Sequence, residues 1–267
     1  MSDKERLDKH MADSGVSDSR EKAKREILSG WVKVNGETVR DPSRIVPVSS
    51  DITVERPGGL YVSRGGEKLA RAISFFEIDV HGMMCVDLGA STGGFTDCLL
   101  KNGASKVYSI DVGYGQLDYS LRNDSRVVVM ERMNARMLTP EMFSDHISFV
   151  SADMSFISFT KVYPTVAKLF HDAYGIALIK PQFEADKSEH KKGVVVRAEN
   201  HVAILTRTLE TLLGQGISMK GLTHSPIKGP KGNIEFLLYF SSDGSPSVDY
   251  DIPSIVKNAH EILSSAE

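Results

Sequence analysis

From Lys68 onward, short apolar runs alternate with amphipathic stretches, and no other feature limits the fold of this chain so tightly. Strands are expected at 84–88, 106–111, 126–130, 146–152 and 175–179, with two more near 218–223 and 234–240. Helical spacing fits 66–76, 95–102, 116–123, 159–169 and 199–213. Alternation of this kind builds a doubly wound, mostly parallel sheet.

Ligands of such sheets bind outside the carboxyl ends of the strands, so polar residues there bear on function. Four stand at the ends of predicted core segments: Lys68 in Ser63-Arg64-Gly65-Gly66-Glu67-Lys68-Leu69, Asp153 in Ser151-Ala152-Asp153-Met154-Ser155-Phe156, Lys180 in Ile176-Ala177-Leu178-Ile179-Lys180-Pro181, and Glu235 in Gly232-Asn233-Ile234-Glu235-Phe236-Leu237. Taken singly, Lys68 fits a helix surface, Glu235 a sheet-edge carboxylate and Asp153 a turn cap. Lys180 is harder to explain that way, because it closes an apolar run and Pro181 holds it extended. A lysine there is costly to bury without carboxylate partners. Two lysines and two carboxylates brought together can hold one amine neutral near pH 7, able to take a proton from a sugar hydroxyl.

A second cluster lies in Val86-Asp87-Leu88-Gly89-Ala90-Ser91-Thr92-Gly93-Gly94-Phe95-Thr96. A strand ends, glycines let the backbone fold tightly against a ligand, and a helix follows. The glycines do not fall as the dinucleotide fingerprint requires, and no Gly-Lys-Ser/Thr follows as in a P-loop. Asp111 closes the next strand, placed to accept hydrogen bonds from a ribose diol. The combination looks like the S-adenosylmethionine site of a class I methyltransferase. That likeness implies cofactor contacts from Asp87, Gly89, Ser91, Thr92, Gly93, Gly94, Asp111 and Asp153, with Asn134 and Ala135 reaching the adenine.

The first 55 residues form a separate small unit. A helix is expected at 4–14, broken by Gly15, and a second, capped by Ser17 or Asp18, runs to Ser29. Asp18 and Glu21 have capping-box spacing. Asn35-Gly36 between Trp31-Val32-Lys33-Val34 and Glu37-Thr38-Val39-Arg40 is a hairpin signal, and 52–55 offers one more strand. Arg56-Pro57-Gly58-Gly59 opens a linker over 56–63, the second domain covers 64–245, and a helical tail covers 246–267. Acidic and basic residues balance in residues 1–60, so charge alone favours a solvated helix with i,i+4 ion pairs over an RNA-binding face.

The net charge of −3 argues against indiscriminate adsorption to nucleic acid. Cys85 and Cys98 lie within apolar segments and suit a reducing cytoplasm; they supply no disulfide framework and no zinc spacing, and no metal is expected. A polar start and apolar runs far below ~18 residues lead us to expect a cytoplasmic chain without a membrane partner, as a monomer or weak dimer.

Helix, helix and Gly-Trp-Val-Lys-Val-Asn-Gly hairpin in this order resemble the S4 RNA-binding domain. That resemblance implies phosphate contacts from Arg6, Arg20, Lys24, Arg25 and Lys33, joined by Arg64 at the second domain. Lys68, Asp153, Lys180 and Glu235 match in chain order the Lys-Asp-Lys-Glu tetrad of the FtsJ-like ribose 2′-O-methyltransferases. Tyr61-Val62-Ser63-Arg64-Gly65-Gly66-Glu67-Lys68-Leu69, the glycine turn, Asp153-Met154-Ser155-Phe156-Ile157-Ser158, Lys180-Pro181-Gln182-Phe183-Glu184 and Gly229-Pro230-Lys231-Gly232-Asn233-Ile234-Glu235-Phe236 are similar to the TlyA family. The likeness runs from about Arg6 to Phe240. It implies a small α+β S4 domain before a Rossmann-like class I methyltransferase with a seven-stranded sheet. It also implies S-adenosyl-L-methionine as cofactor and cytidine 2′-hydroxyls of ribosomal RNA, within ribosomal subunits, as substrate. Lys180 would be the base.

Two other classes compete. One is a non-catalytic RNA-binding or ribosome-assembly factor. The other is a membrane-active cytolysin, a name attached to this family, against which the lack of a long apolar helix weighs. The charged 184–193 loop fits either a lid gripping RNA or cofactor or a solvated loop.

Overall fold

Asn35 and Gly36 both take positive φ, 50° and 84°, the backbone that a two-residue hairpin turn demands. They join β2 (Val32–Val34) to β3 (Glu37–Val39). The structure, a computed structural model, describes residues 4–17, 19–54, 60–186 and 189–264. Two compact units result, Met1–Ser63 and Arg64–Glu267. Asp18 and the Arg56-Pro57-Gly58-Gly59 stretch lie outside the described residues.

In the first unit residues 4–6 form a strand, β1 (Lys4–Arg6), and not the expected first helix turn. It pairs antiparallel with β4 (Ile45–Pro47), a strand too short to announce itself by alternation. Helix α1 therefore begins only at Leu7 and ends at Asp13. Helix α2 (Arg20–Leu28) is capped by Ser19, whose side chain accepts from the Lys22 backbone N–H. Ser17 is not the cap; its hydroxyl is buried and donates to Glu26. Strand β5 (Ile52–Val54) lies on the other side of β2, giving the order β3-β2-β5. Leu7, Met11, Ala23, Ile27, Val32, Val34, Val39 and Val46 form the core of this unit.

The second unit begins with α3 (Gly65–Phe75), then β6 (Met84–Leu88), α4 (Gly94–Lys101) and β7 (Lys106–Asp111). Next come α5 (Tyr119–Arg122), β8 (Val127–Glu131), β9 (Phe149–Ala152), α6 (Tyr163–Leu169), β10 (Tyr174–Ile179) and a single turn, α7 (Pro181–Glu184). Helix α8 (Ala198–Gly214), β11 (Ser218–His224), β12 (Phe236–Ser241) and α9 (Ile252–Ser264) complete it. The helix expected at 116–123 shrinks to one turn, and that at 159–169 splits into a 3-10 turn (Phe159–Lys161) and α6, where Pro164 sits in the first turn.

The seven strands order as β11-β12-β10-β9-β6-β7-β8. β6 to β10 run parallel, while β12 is antiparallel to both its neighbours. From β6 the chain winds outward through β7 and β8, then returns to β9 on the other side. The switch point therefore falls between β6 and β9, where doubly wound sheets open a ligand crevice. Both flanking strands are buried along most of their length, as expected of parallel strands inside a sheet. Val256, Ala259 and Leu263 of α9 join the same core as β10 and β12.

Candidate active site

The antiparallel run of β12 explains how Glu235 reaches the site. Ile179 pairs with Phe236, so the residue just before β12 lies beside the one just after β10. Asp153 follows β9, next to β10, and its backbone N–H donates to the Leu88 carbonyl at 3.0 Å. Lys68 comes from the first turns of α3. Four residues far apart in sequence thus meet at the carboxyl ends of the parallel strands.

They meet as two ion pairs. Lys68 Nζ lies 2.5 Å from Glu235 Oε2, and Lys180 Nζ lies 2.5 Å from Asp153 Oδ1. Both lysines are only 7% exposed and Glu235 is fully buried. Burying charges costs several kcal/mol each unless they are paired, so the arrangement is tolerable only as a set. Burial pushes the Asp153 carboxyl up, but the charges of Lys180 and Lys68 outweigh it and hold the group below its ordinary value. Ser155 Oγ accepts from Lys180 at 3.4 Å, and Gln182 Nε2 reaches Glu235 Oε1 at 3.4 Å. Phe183 offers its ring to the Lys180 ammonium, 5.8 Å from the centroid, and also contacts Phe156, which is 90% exposed.

The glycine turn stands at the switch point. Gly89 has φ +81°, and a Cβ there would lie 2.6 Å from the Asp153 carbonyl oxygen. Only glycine lets the backbone pass this close to Asp153. Ser91 is exposed, and its N–H donates to Asp111 Oδ2 at 2.9 Å; Gly113 N–H donates to Asp111 Oδ1 at 2.6 Å. The Asp111 carboxylate is thereby fixed in place with lone pairs to spare for a diol. Gly93, in the left-handed region at 94°, leads into α4 without a side-chain cap. A bare turn at a helix start beside a fixed carboxylate fits the amino-acid and ribose portions of S-adenosyl-L-methionine.

Two expected cofactor contacts sit elsewhere. Asp87 is fully buried beneath the turn, accepting from Thr96 Oγ1 at 2.7 Å and from Ser151 Oγ at 3.0 Å. It anchors the turn from below and presents no surface to a ligand. The Ala135 side chain is 3% exposed and belongs to the core, whereas Asn134 is exposed and its Oδ1 accepts from the Arg136 N–H.

In the first unit Arg6 grips Asp8 through two bonds, at 3.1 and 3.0 Å, and Arg20 Nε adds a third at 3.1 Å. Asp8 is wholly buried, and its hydrogen bonds to Arg6, ahead of those to Arg20, lower its carboxyl to about 2. Lys24 pairs with Glu21 at 2.6 Å. Arg25 and Lys33 are half-buried, and Arg64 is exposed just before α3. Sequence reading missed Ser155, Gln182 and the Thr96–Ser151 support of Asp87. Only the motif around Asp153 and Lys180 hinted at the first two.

Residues 61–242 match the FtsJ-like methyltransferase family, and residues 5–52 match the S4 domain. "Hemolysin A" of Brachyspira hyodysenteriae is 45% identical over 88% of this chain and 99% of its own length. The "16S/23S rRNA (cytidine-2'-O)-methyltransferase TlyA" of Mycobacterium tuberculosis is 42% identical over 90% of both chains. A solved hemolysin-named structure from Streptococcus thermophilus superposes with a TM-score of 0.78 at 39% identity, covering 100% of this chain and 99% of its own. The chain belongs to the TlyA family, an S4 domain joined to an FtsJ-like methyltransferase domain.

Proposed function

We propose that this chain methylates the 2′-hydroxyl of cytidine in ribosomal RNA from S-adenosyl-L-methionine, with Lys180 as general base. The meeting of two lysine–carboxylate pairs beside the 89–94 turn carries this reading. Gly89, Ser91, Thr92, Gly93, Gly94 and Asp111 would hold the cofactor. When bound, the cofactor supplies an electrophilic methyl group to the ribose oxygen. Lys180 Nζ takes the hydroxyl proton, and Asp153 aims the amine. Glu235 holds Lys68 in place beside the reacting groups. Much of the rate would come from alignment of the oxygen. Arg6, Arg20, Lys24, Arg25, Lys33 and Arg64 would bind RNA phosphates, with ribosomal subunits as the source of that RNA and the cytoplasm as the place of action.

The relatives' hemolysin name invites a membrane role, but no described helix is long and apolar enough to cross a membrane. Methyl transfer to rRNA, measured beside calorimetric binding of S-adenosyl-L-methionine, tests the proposal. Lys180→Ala should abolish transfer and leave cofactor binding nearly intact. Lys180→Arg, a cation that cannot give up its proton in this range, should be equally dead. Transfer surviving in Lys180→Arg would reduce the residue to an electrostatic role. Equal loss of binding and transfer in Lys180→Ala would make it structural.

A further inference from the structure

Asn233 has no part in the proposed proton transfer, yet it is only 2% exposed and fully engaged. Its Oδ1 accepts from the Val195 N–H at 3.2 Å, and its Nδ2 donates to the Gly193 carbonyl at 3.0 Å. Its own carbonyl accepts from the Gly229 N–H at 2.8 Å. Gly229 in turn lies so near the catalytic pair that a Cβ there would come 2.2 Å from Glu235 Oε1.

The backbone that Asn233 grips belongs to a tight turn. Lys191 and Val194 exchange bonds of 2.9 and 3.0 Å, and Lys191 and Lys192 stand exposed on it. Behind the turn, Arg207 pairs with Glu189 at 2.8 Å and Asn200 donates to the Glu189 carbonyl at 2.8 Å. A path therefore runs from two exposed lysines to the Asn233 side chain, and from the Asn233 backbone through Gly229 to Glu235 and Lys68.

We propose that Asn233 is a positioning residue coupling the 191–194 turn, which grips RNA phosphates through Lys191 and Lys192, to the Glu235–Lys68 pair. The coupling rests on the methyl-transfer reading above. An amide suits the place because it offers a donor and an acceptor to two nearby backbone groups; a carboxylate lacks the donor and an alkyl chain lacks both. Without it, the Gly193 carbonyl and the Val195 N–H lose their partner in a buried setting. Exposed lysines hold phosphate as point charges, positioning RNA without reading its sequence.

The test uses the intact chain, rRNA and S-adenosyl-L-methionine. Asn233→Ala should lower kcat at saturating RNA by roughly 10–100-fold, as misplacement of a catalytic group does, with cofactor affinity unchanged within about twofold. Gly229→Ala, which crowds Glu235 directly, should give the same split. The double change Lys191→Ala/Lys192→Ala should lower kcat/KM severalfold alone but add less than about twofold on top of Asn233→Ala, the mark of coupled sites. Additive losses, or a normal kcat in Asn233→Ala, overturn the coupling. Cofactor affinity that falls together with kcat overturns it too, since the role is then structural. If Asn233→Ala does not fold, hydrogen exchange of the wild-type Val195 amide decides. It should slow when rRNA binds, and an unchanged rate overturns the proposal. A wild-type chain that transfers no methyl group would defeat the proposed function itself, whereas an active wild type with an unchanged Val195 exchange rate would defeat the coupling alone.

Discussion

Asp87 and Asp153 stand at the ends of neighbouring strands, β6 and β9, yet their surroundings drive them in opposite directions. Burial pushes Asp87 up to about 7, more strongly than the Thr96 and Ser151 hydroxyls pull it down. Asp153 is pushed up by burial too, but two lysines reverse the sign. The consequences for stability are opposite. An unfolded aspartate titrates near ~3.9, so Asp87 takes up a proton on folding between that pH and about 7. Its contribution to stability falls as pH rises through this window. Asp153 contributes above the unfolded value and loses that contribution only as pH falls through its lowered folded value. Asp87→Asn keeps an acceptor for Thr96 and turns a donor toward Ser151, whose hydroxyl accepts equally well. Melting temperatures recorded from pH 4 to 8 should therefore show Asp87→Asn gaining on the wild type as pH rises. Parallel curves would mean that Asp87 is ionised throughout.

At the scale of elements, the turn from β6 to α4 works because Gly89 lets the β6 backbone and the residue after β9 share one place. Gly89→Ala meets two obstacles, a left-handed φ of +81° and the Asp153 carbonyl at 2.6 Å. Strain of this kind costs about 1–3 kcal/mol. Because relief requires Asp153 to move, cofactor affinity should fall along with the melting temperature. A variant with normal calorimetric affinity would show that the turn does not line the cofactor site. Strands β6, β8, β10 and β12 were legible because each is a nearly unbroken apolar run, and the strand-end residues stood out as charges closing such runs. Lys180 after Ile176-Ala177-Leu178-Ile179 is the clearest case. β1 and β4 were not legible, since three-residue strands leave no period to read and Lys4–Arg6 is entirely polar. Ser17 and Asp18 masked Ser19 as the cap, because all three are good capping residues and only packing chooses among them. Gly229 against Glu235 and Asn233 on the 193–195 backbone join segments that nothing local connects.

At the scale of the whole molecule, a chain of net charge −3 that acts on RNA must concentrate its attraction in a few places. The first unit does this in an unusual way. Arg6 and Arg20 both lean on one buried carboxylate, Asp8, with Asp41 adding its charge to Arg6, while their side chains remain 43% and 48% exposed. Asp8, lowered to about 2, stays ionised at any pH where RNA is intact and holds both exposed guanidinium groups in place. Such sites hold phosphate through charge, and each phosphate neutralised adds about −0.7 to −0.9 to the slope of log affinity against log salt. Arg6→Ala/Arg20→Ala in the full chain should weaken rRNA binding and flatten that slope by roughly one to two units, while cofactor affinity stays unchanged. Filter binding across a salt series checks this. If the slope were unaltered, the two arginines would be serving only to pin α1 to α2 through Asp8, and the RNA would be held by other residues.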